Sequence, residues 1–263
     1  LERRAATAQV KRDVLSVEID KRIVERDYQT ECIAALCREI KAGRRKLLVE
    51  MATGTGKTRT AAALIKRLFE AGAITRVLFL VDRIPLAKQT EDAFAEHLSD
   101  FPAYVLRAGR RFQDEKRITI TTLQSMVNIY SEYSAGYFDL LSSDECHRSI
   151  YGKWSGVLKH FDGVQVGLTA TPCIADPSTF NDEDDKLAIR DTLRFFEVDR
   201  PTFSYKMKDA IREGYLVPYQ IYKAKTVKTA AEGGFEVARD ELDWSAIDAT
   251  TRAELEVMFD GAK

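Results

Sequence analysis

With 263 residues, 45% of them hydrophobic, the chain is long enough for one large or two small domains and a substantial core. Its net charge of −1 argues against a simple electrostatic DNA binder, and no apolar stretch approaches the roughly 18 residues of a membrane span. The four cysteines (Cys32, Cys37, Cys146 and Cys173) show no paired metal spacing and no disulfide framework, which points to a reducing cytoplasm.

Residues 1–24 are charged and weakly periodic, with neither an initiator Met nor an apolar signal core. They read as a connector or the end of an upstream domain, in a piece of a longer protein. Over 28–40 the apolar positions Tyr28, Cys32, Ile33, Leu36, Cys37 and Ile40 recur at helical spacing, and Gly43 ends that helix. Residues 46–51 (KLLVEM) form a short buried strand that runs into a Gly-rich loop, with a helix over 58–70 behind it. The unbroken apolar run at 77–81 (VLFLV) suits a strand of a parallel sheet covered on both faces, followed by a helix over 86–98.

Further strands are expected at 104–106, 118–121, 138–142 and 165–168. Strands alternating with helices mean βαβ units, hence an α/β domain with a parallel sheet and helices on both faces. After Pro172 the pattern loosens into an acidic loop over 177–185, a helix over 207–213 closed by Gly214, and an extended run over 217–224. The main domain is placed at 25–225 and a linker at 226–263. The basic stretch at 107–117 and the acidic run at 181–185 have solvated loops as their plain reading.

Three strings carry chemistry. In Met51-Ala52-Thr53-Gly54-Thr55-Gly56-Lys57-Thr58, Met51 stands where a phosphate loop usually has its first Gly. The working parts remain. Gly54 and Gly56 allow backbone N–H groups and the next helix's N-terminus to approach phosphates, with Thr53 and Thr55 completing the loop. Lys57 reaches the β/γ-phosphates of ATP, and the Thr58 hydroxyl binds Mg²⁺. In Asp144-Glu145-Cys146-His147, Asp144 holds Mg²⁺ through water and Glu145 activates the attacking water as general base. Neighbouring strand residues point apart, so Cys146 and His147 do not form a thiol dyad. His147 with Thr169 and Thr171, from Leu168-Thr169-Ala170-Thr171-Pro172, is the set able to relay nucleotide state. Lys57 and Asp144 lie roughly ninety residues apart, enough for two or three βαβ units of about 30 residues to return both to one sheet edge.

Around these strings lie weaker candidates. Gln29 offers a donor and an acceptor that match the adenine edge, with Arg26 before it and Tyr28 able to pack beside the base. Arg83 and Gln89, then Thr122, Gln124 and Ser125, are suited to nucleic-acid phosphates, although a helix cap is an equal reading of Thr121 and Thr122. Trp154, Trp244, Phe195 and Phe196 read as packing rather than as base platforms.

From about Glu25 to Pro172, this order of motifs resembles superfamily 2 helicases and translocases. The phrases LVDRIPLAKQT, DECHRS and FSYKMKDAIREGYLVPYQ resemble the motor (R) subunit of type I restriction endonucleases more narrowly. The resemblance implies the first of two RecA-like motor domains, with ATP and Mg²⁺ as cofactors and double-stranded DNA as track. It also implies methylation and specificity subunits as partners and a second RecA-like domain in cis. That family's nuclease domain precedes its motor. Residues 1–24 show no acidic–acidic–Lys pattern, and nothing after Pro172 resembles the second domain with its arginine finger. Another superfamily 2 DNA or RNA helicase, or a nucleotide-dependent DNA clamp that does not move, are the alternatives.

Overall fold

A computed structural model describes residues 12–107, 113, 115–148, 154–173 and 191–218. Among them the strands are β1 (Lys46–Met51), β2 (Val77–Val81), β3 (Ala103–Val105), β4 (Ile118–Thr122), β5 (Leu140–Ser143), β6 (Val164–Thr169) and β7 (Phe203–Tyr205). The helices are α1 (Asp27–Lys41), α2 (Lys57–Glu70), α3 (Ile84–His97), α4 (Leu123–Met126), α5 (Trp154–His160), α6 (Thr192–Phe195) and α7 (Met207–Arg212). All pairings are parallel, in the order β3-β4-β2-β5-β6-β1-β7.

The strand sequences explain the layering. Successive side chains of β2 alternate between faces. Val77, Phe79 and Val81 enter one core with α1, α2 and α3, where Phe79 meets Phe94 edge-on at 5.1 Å. Leu78 and Leu80 enter the other with Leu123, Met126, Phe138 and Phe161. Both faces are therefore apolar, and the strand reads as a continuous run rather than an alternating one.

The order of strands places the site. The chain leaves β1 through α2 and passes over two strand positions to β2. After β3 and β4 it comes back to fill those positions with β5 and β6. The C-terminal ends of β2, β5, β6 and β1 thus stand in a row, and each of the three motif strings begins at one of them.

Several boundaries differ from expectation. Helix α3 starts at Ile84 rather than 86, because Pro85 sits in its first turn, where a missing N–H costs nothing, and Arg83 is extended before it. Strand β5 starts at Leu140 rather than 138. The Asp139 carboxylate there accepts from Thr75 N, Thr75 Oγ1 and Arg76 N at 2.8, 2.6 and 3.0 Å, while Phe138 turns into the second core. Strand β7 went unanticipated, since three residues at the sheet edge leave no apolar run. Residues 12–24 lie against the domain: Val14, Ile23 and Val24 are in its first core, and Asp20 pairs with Lys66 at 2.6 Å.

No helix among the described residues is long and apolar enough to cross a membrane. The acidic loop at 177–185, most of the basic stretch at 107–117, the run beyond 218, the linker at 226–263 and Trp244 lie outside the described residues, as does the side chain of Trp154.

Candidate active site

Strand β1 delivers the chain at Met51 into a tight loop, and α2 begins at Lys57. Gly54 and Gly56 have φ of +83° and +88°, the left-handed region that side chains disfavour. Gly56 is further restricted, because a Cβ there would sit 2.4 Å from Gln29 Nε2. Thr55 is buried and its hydroxyl donates to Ala52 O at 2.6 Å; Thr53 and Gly54 are exposed and Thr58 is half-buried. The loop therefore offers backbone N–H groups and a helix N-terminus to an anion.

Strand β5 carries the second string into contact with the first. Asp144 N donates to Leu80 O at 2.9 Å, extending the ladder by one bond. Glu145 then turns sharply with φ +48° while its N–H donates to Asp144 Oδ1 at 3.0 Å. Holding a non-Gly residue there costs on the order of 1 kcal/mol or more. The turn brings Glu145 Oε1 to 3.4 Å from Lys57 Nζ, and Oε2 to 3.6 Å from His147 Nδ1. His147 Nδ1 lies 2.9 Å from Thr169 Oγ1, which also accepts from Thr171 N at 3.1 Å. Lys57, Glu145, His147, Thr169 and Thr171 form one connected polar path across three strand ends.

Burial pushes the Asp144 carboxyl up, Lys57 opposes that, and Glu145 and Asp82 add to it. Asp144 and Glu145 thus both face the Lys57 ammonium, with the Asp82 charge close enough to be felt by Asp144. Cys146 is fully buried beside Leu48 and Phe196, and burial drives its thiol well up, so it packs rather than reacts.

The segment read for adenine is turned toward the loop. Gln29 Nε2 and Tyr28 OH both donate to Thr55 O, at 3.0 and 2.8 Å, and Arg26 Nη1 donates to Tyr28 OH at 2.7 Å. Gln29 and Tyr28 are buried, and the Tyr28 ring stacks on Tyr205 at 3.9 Å with Tyr215 edge-on at 5.3 Å. On this flank Ala52 N donates to Tyr205 O at 3.0 Å, and Leu216 packs against Gly54, where a Cβ would sit 3.2 Å from it. Tyr205, Tyr215 and Leu216 escaped the sequence reading. They fall in FSYKMKDAIREGYLVPYQ, a phrase that carried a resemblance but no chemistry.

The nucleic-acid candidates divide. Arg83 is exposed and pairs with Asp82 at 3.2 Å. Thr122 caps α4, its Oγ1 accepting from Ser125 N at 3.2 Å and donating to Ser125 Oγ at 3.0 Å. Both line a cleft of about 420 Å³ with Gln124, Ser125 and Asn128. A neighbouring cleft of about 570 Å³ runs from Asp82 and Arg83 to Glu145, His147 and Thr171. Gln89 is exposed on α3 and lines neither.

Residues 22–174 match the family model described as type III restriction enzyme, res subunit. The chain belongs to that family. It is 30% identical over 216 residues to the EcoAI type I restriction enzyme endonuclease subunit of Escherichia coli, covering 75% of this chain and 24% of that protein. A Vibrio vulnificus YJ016 chain described as an HsdR subunit of a type I restriction enzyme has a TM-score of 0.56 and 27% identity, over 81% of this chain and 37% of that one. The Pyrococcus furiosus Hef helicase domain gives a TM-score of 0.52 at 19% identity, over 72% of this chain and 39% of that one. The last shows the fold alone, a RecA-like α/β domain. The chain spans 24% of its EcoAI relative and 17% of the EcoKI one.

Proposed function

We propose that the chain is the ATP-binding and ATP-hydrolysing first motor domain of a double-stranded-DNA translocase, the restriction subunit of a type I restriction-modification system in the cytoplasm. The observation that carries this reading is the 3.4 Å contact between Lys57 and Glu145, which joins a phosphate-loop lysine to a carboxylate on another strand end.

The residues present fit the cofactors. The left-handed glycines leave the cradle free of side chains, and a Cβ at Gly56 would already strike Gln29. Thr58 and Asp144 are hard oxygen donors of the kind Mg²⁺ takes in small number, and the raised Asp144 carboxyl marks a place where added positive charge is favourable. When bound, Mg²⁺ neutralises charge on the transferring phosphoryl group. The N–H groups of the loop from Thr53 to Thr58 hold the phosphates and Lys57 balances their charge. Arrival of phosphate draws Lys57 away from Glu145 and leaves that carboxylate free to accept the proton of the attacking water. His147, Thr169 and Thr171 carry the change toward the cleft at Arg83, Thr122, Gln124 and Ser125, where phosphates of DNA are positioned without base readout. Gln89 is assigned to the same strand path.

A second RecA-like domain in cis would complete the motor, joined through residues 226–263, with the domain proper, placed at 25–225 from the sequence, also taking in residues 12–24 through Val14, Ile23 and Val24. Methylation and specificity subunits are the partners. The test is ATP hydrolysis by the parent chain with those partners, with and without double-stranded DNA bearing their site. Stimulation by unmethylated site-bearing DNA alone supports the restriction motor. Stimulation by any nucleic acid, or by RNA alone, replaces it with a general helicase. A chain that binds DNA but never displaces a triplex third strand is a clamp.

A further inference from the structure

The two flanks of the phosphate loop differ in chemistry. On the β6 side stand Asp144, Glu145 and His147, charged groups suited to metal and water. On the β7 side stand three tyrosines and Arg26, a planar and largely apolar surface. A purine hanging from a triphosphate held in the loop is repelled by neither flank equally: its π-face suits only the second.

Within that second flank the rings are not equivalent. Tyr28 and Tyr205 are 5% and 6% exposed and stack on one another, so neither offers a base its face. Tyr215 is 39% exposed and takes the Arg26 guanidinium over its ring at 4.9 Å. Its neighbour Leu216 rests on Gly54, which puts Tyr215 one residue from the loop itself. Tyr215 is also held in place, since its N–H donates to Ala210 O at 2.8 Å and its edge meets Tyr28.

We infer that Tyr215, paired with Arg26, is the platform on which the base of the bound nucleotide stacks. The inference rests on the nucleotide-site reading above and deepens it. Tyr28 and Gln29 then serve as positioning residues that brace the Thr55 carbonyl, and the aromatic contact with the base comes from the far end of the domain. The guanidinium covers one face of the phenol ring and fixes its orientation, the exposed remainder of the ring is offered to a flat ligand, and that contact distinguishes nucleotides from bare polyphosphate without reading donor and acceptor positions.

The experiment is titration calorimetry of the full chain with Mg²⁺ and two probes, ATP and inorganic tripolyphosphate. Tyr215→Ala is expected to weaken ATP about tenfold, the effect of roughly 1.4 kcal/mol of stacking, and to leave tripolyphosphate within about twofold. Tyr215→Phe, which keeps the ring, is expected to restore ATP binding. Retained tripolyphosphate binding shows that the variant is folded. Equal loss for both probes overturns the inference, because the ring then only braces the loop. No loss for either, with Lys57→Ala weakening both, overturns it while leaving the nucleotide site standing. If Lys57→Ala changes neither probe, the nucleotide site itself is wrong and the platform falls with it.

Discussion

Glu145→Gln separates binding from chemistry at the contact that organises the site. Glu145 Oε1 is 3.4 Å from a Lys57 ammonium whose side chain is only 9% exposed. At an effective dielectric of about 20, Coulomb's law gives that pair roughly 5 kcal/mol. Desolvation of two partly buried groups offsets most of this, leaving a net attraction on the order of 1 kcal/mol. A phosphate entering the loop must displace that attraction. Gln keeps the shape and removes the competing charge, so ATP affinity is expected to rise by up to about fivefold. Loss of the proton acceptor is expected to lower turnover by about 10² to 10⁴. Calorimetry in Mg²⁺ reads the first effect and single-turnover hydrolysis by the parent chain reads the second. Weaker ATP binding in the variant would refute the picture of Lys57 exchanging Glu145 for phosphate, and turnover within tenfold of the original would remove Glu145 as base.

Gly56→Ala forces a side chain to φ +88° and into Gln29 Nε2, and nucleotide affinity is expected to fall more than tenfold by calorimetry; adding Gln29→Ala removes the clash but not the roughly 1–2 kcal/mol of backbone strain, so recovery is partial. Thr169→Val deletes the oxygen shared by His147 and Thr171, and the ratio of DNA-stimulated to basal hydrolysis in the parent chain is expected to drop severalfold. Asp144→Asn relieves a buried charge whose carboxyl is already pushed up, so thermal unfolding without nucleotide should shift upward, by on the order of 1 kcal/mol in stability, while Mg²⁺-dependent ATP binding is lost. Asp20, held well below its ordinary 3.8 by hydrogen bonds from Arg22 and then Lys66, stabilises the fold above pH 3.8 and loses that effect as pH falls through its lowered value. Urea unfolding should therefore show Asp20→Asn about 1–2 kcal/mol less stable at pH 7, with the gap closing in acid.

What was legible in the sequence was whatever a short window contains. The VLFLV run carries its own evidence of a doubly covered strand, and the Gly54–Gly56–Lys57 spacing carries the loop that follows β1. Glu145 was placed beside the nucleotide because a parallel sheet returns its strand ends to one edge. Its contact with Lys57 needed the left-handed turn at φ +48°, which no propensity announces for a glutamate. The adenine side was read from Arg26 to Gln29 alone, because a side chain's hydrogen-bonding capacity is visible in a sequence and its partner is not. In the fold that capacity is directed at Thr55 O, and the exposed ring beside it comes from a segment nearly 190 residues later. Strand β7 brings it there with only three ladder positions against β1, too few to leave a periodic signature. The loop after β1 is thus gripped by both ends of the domain, and a nucleotide that moves the loop must move Tyr215 and Leu216 with it.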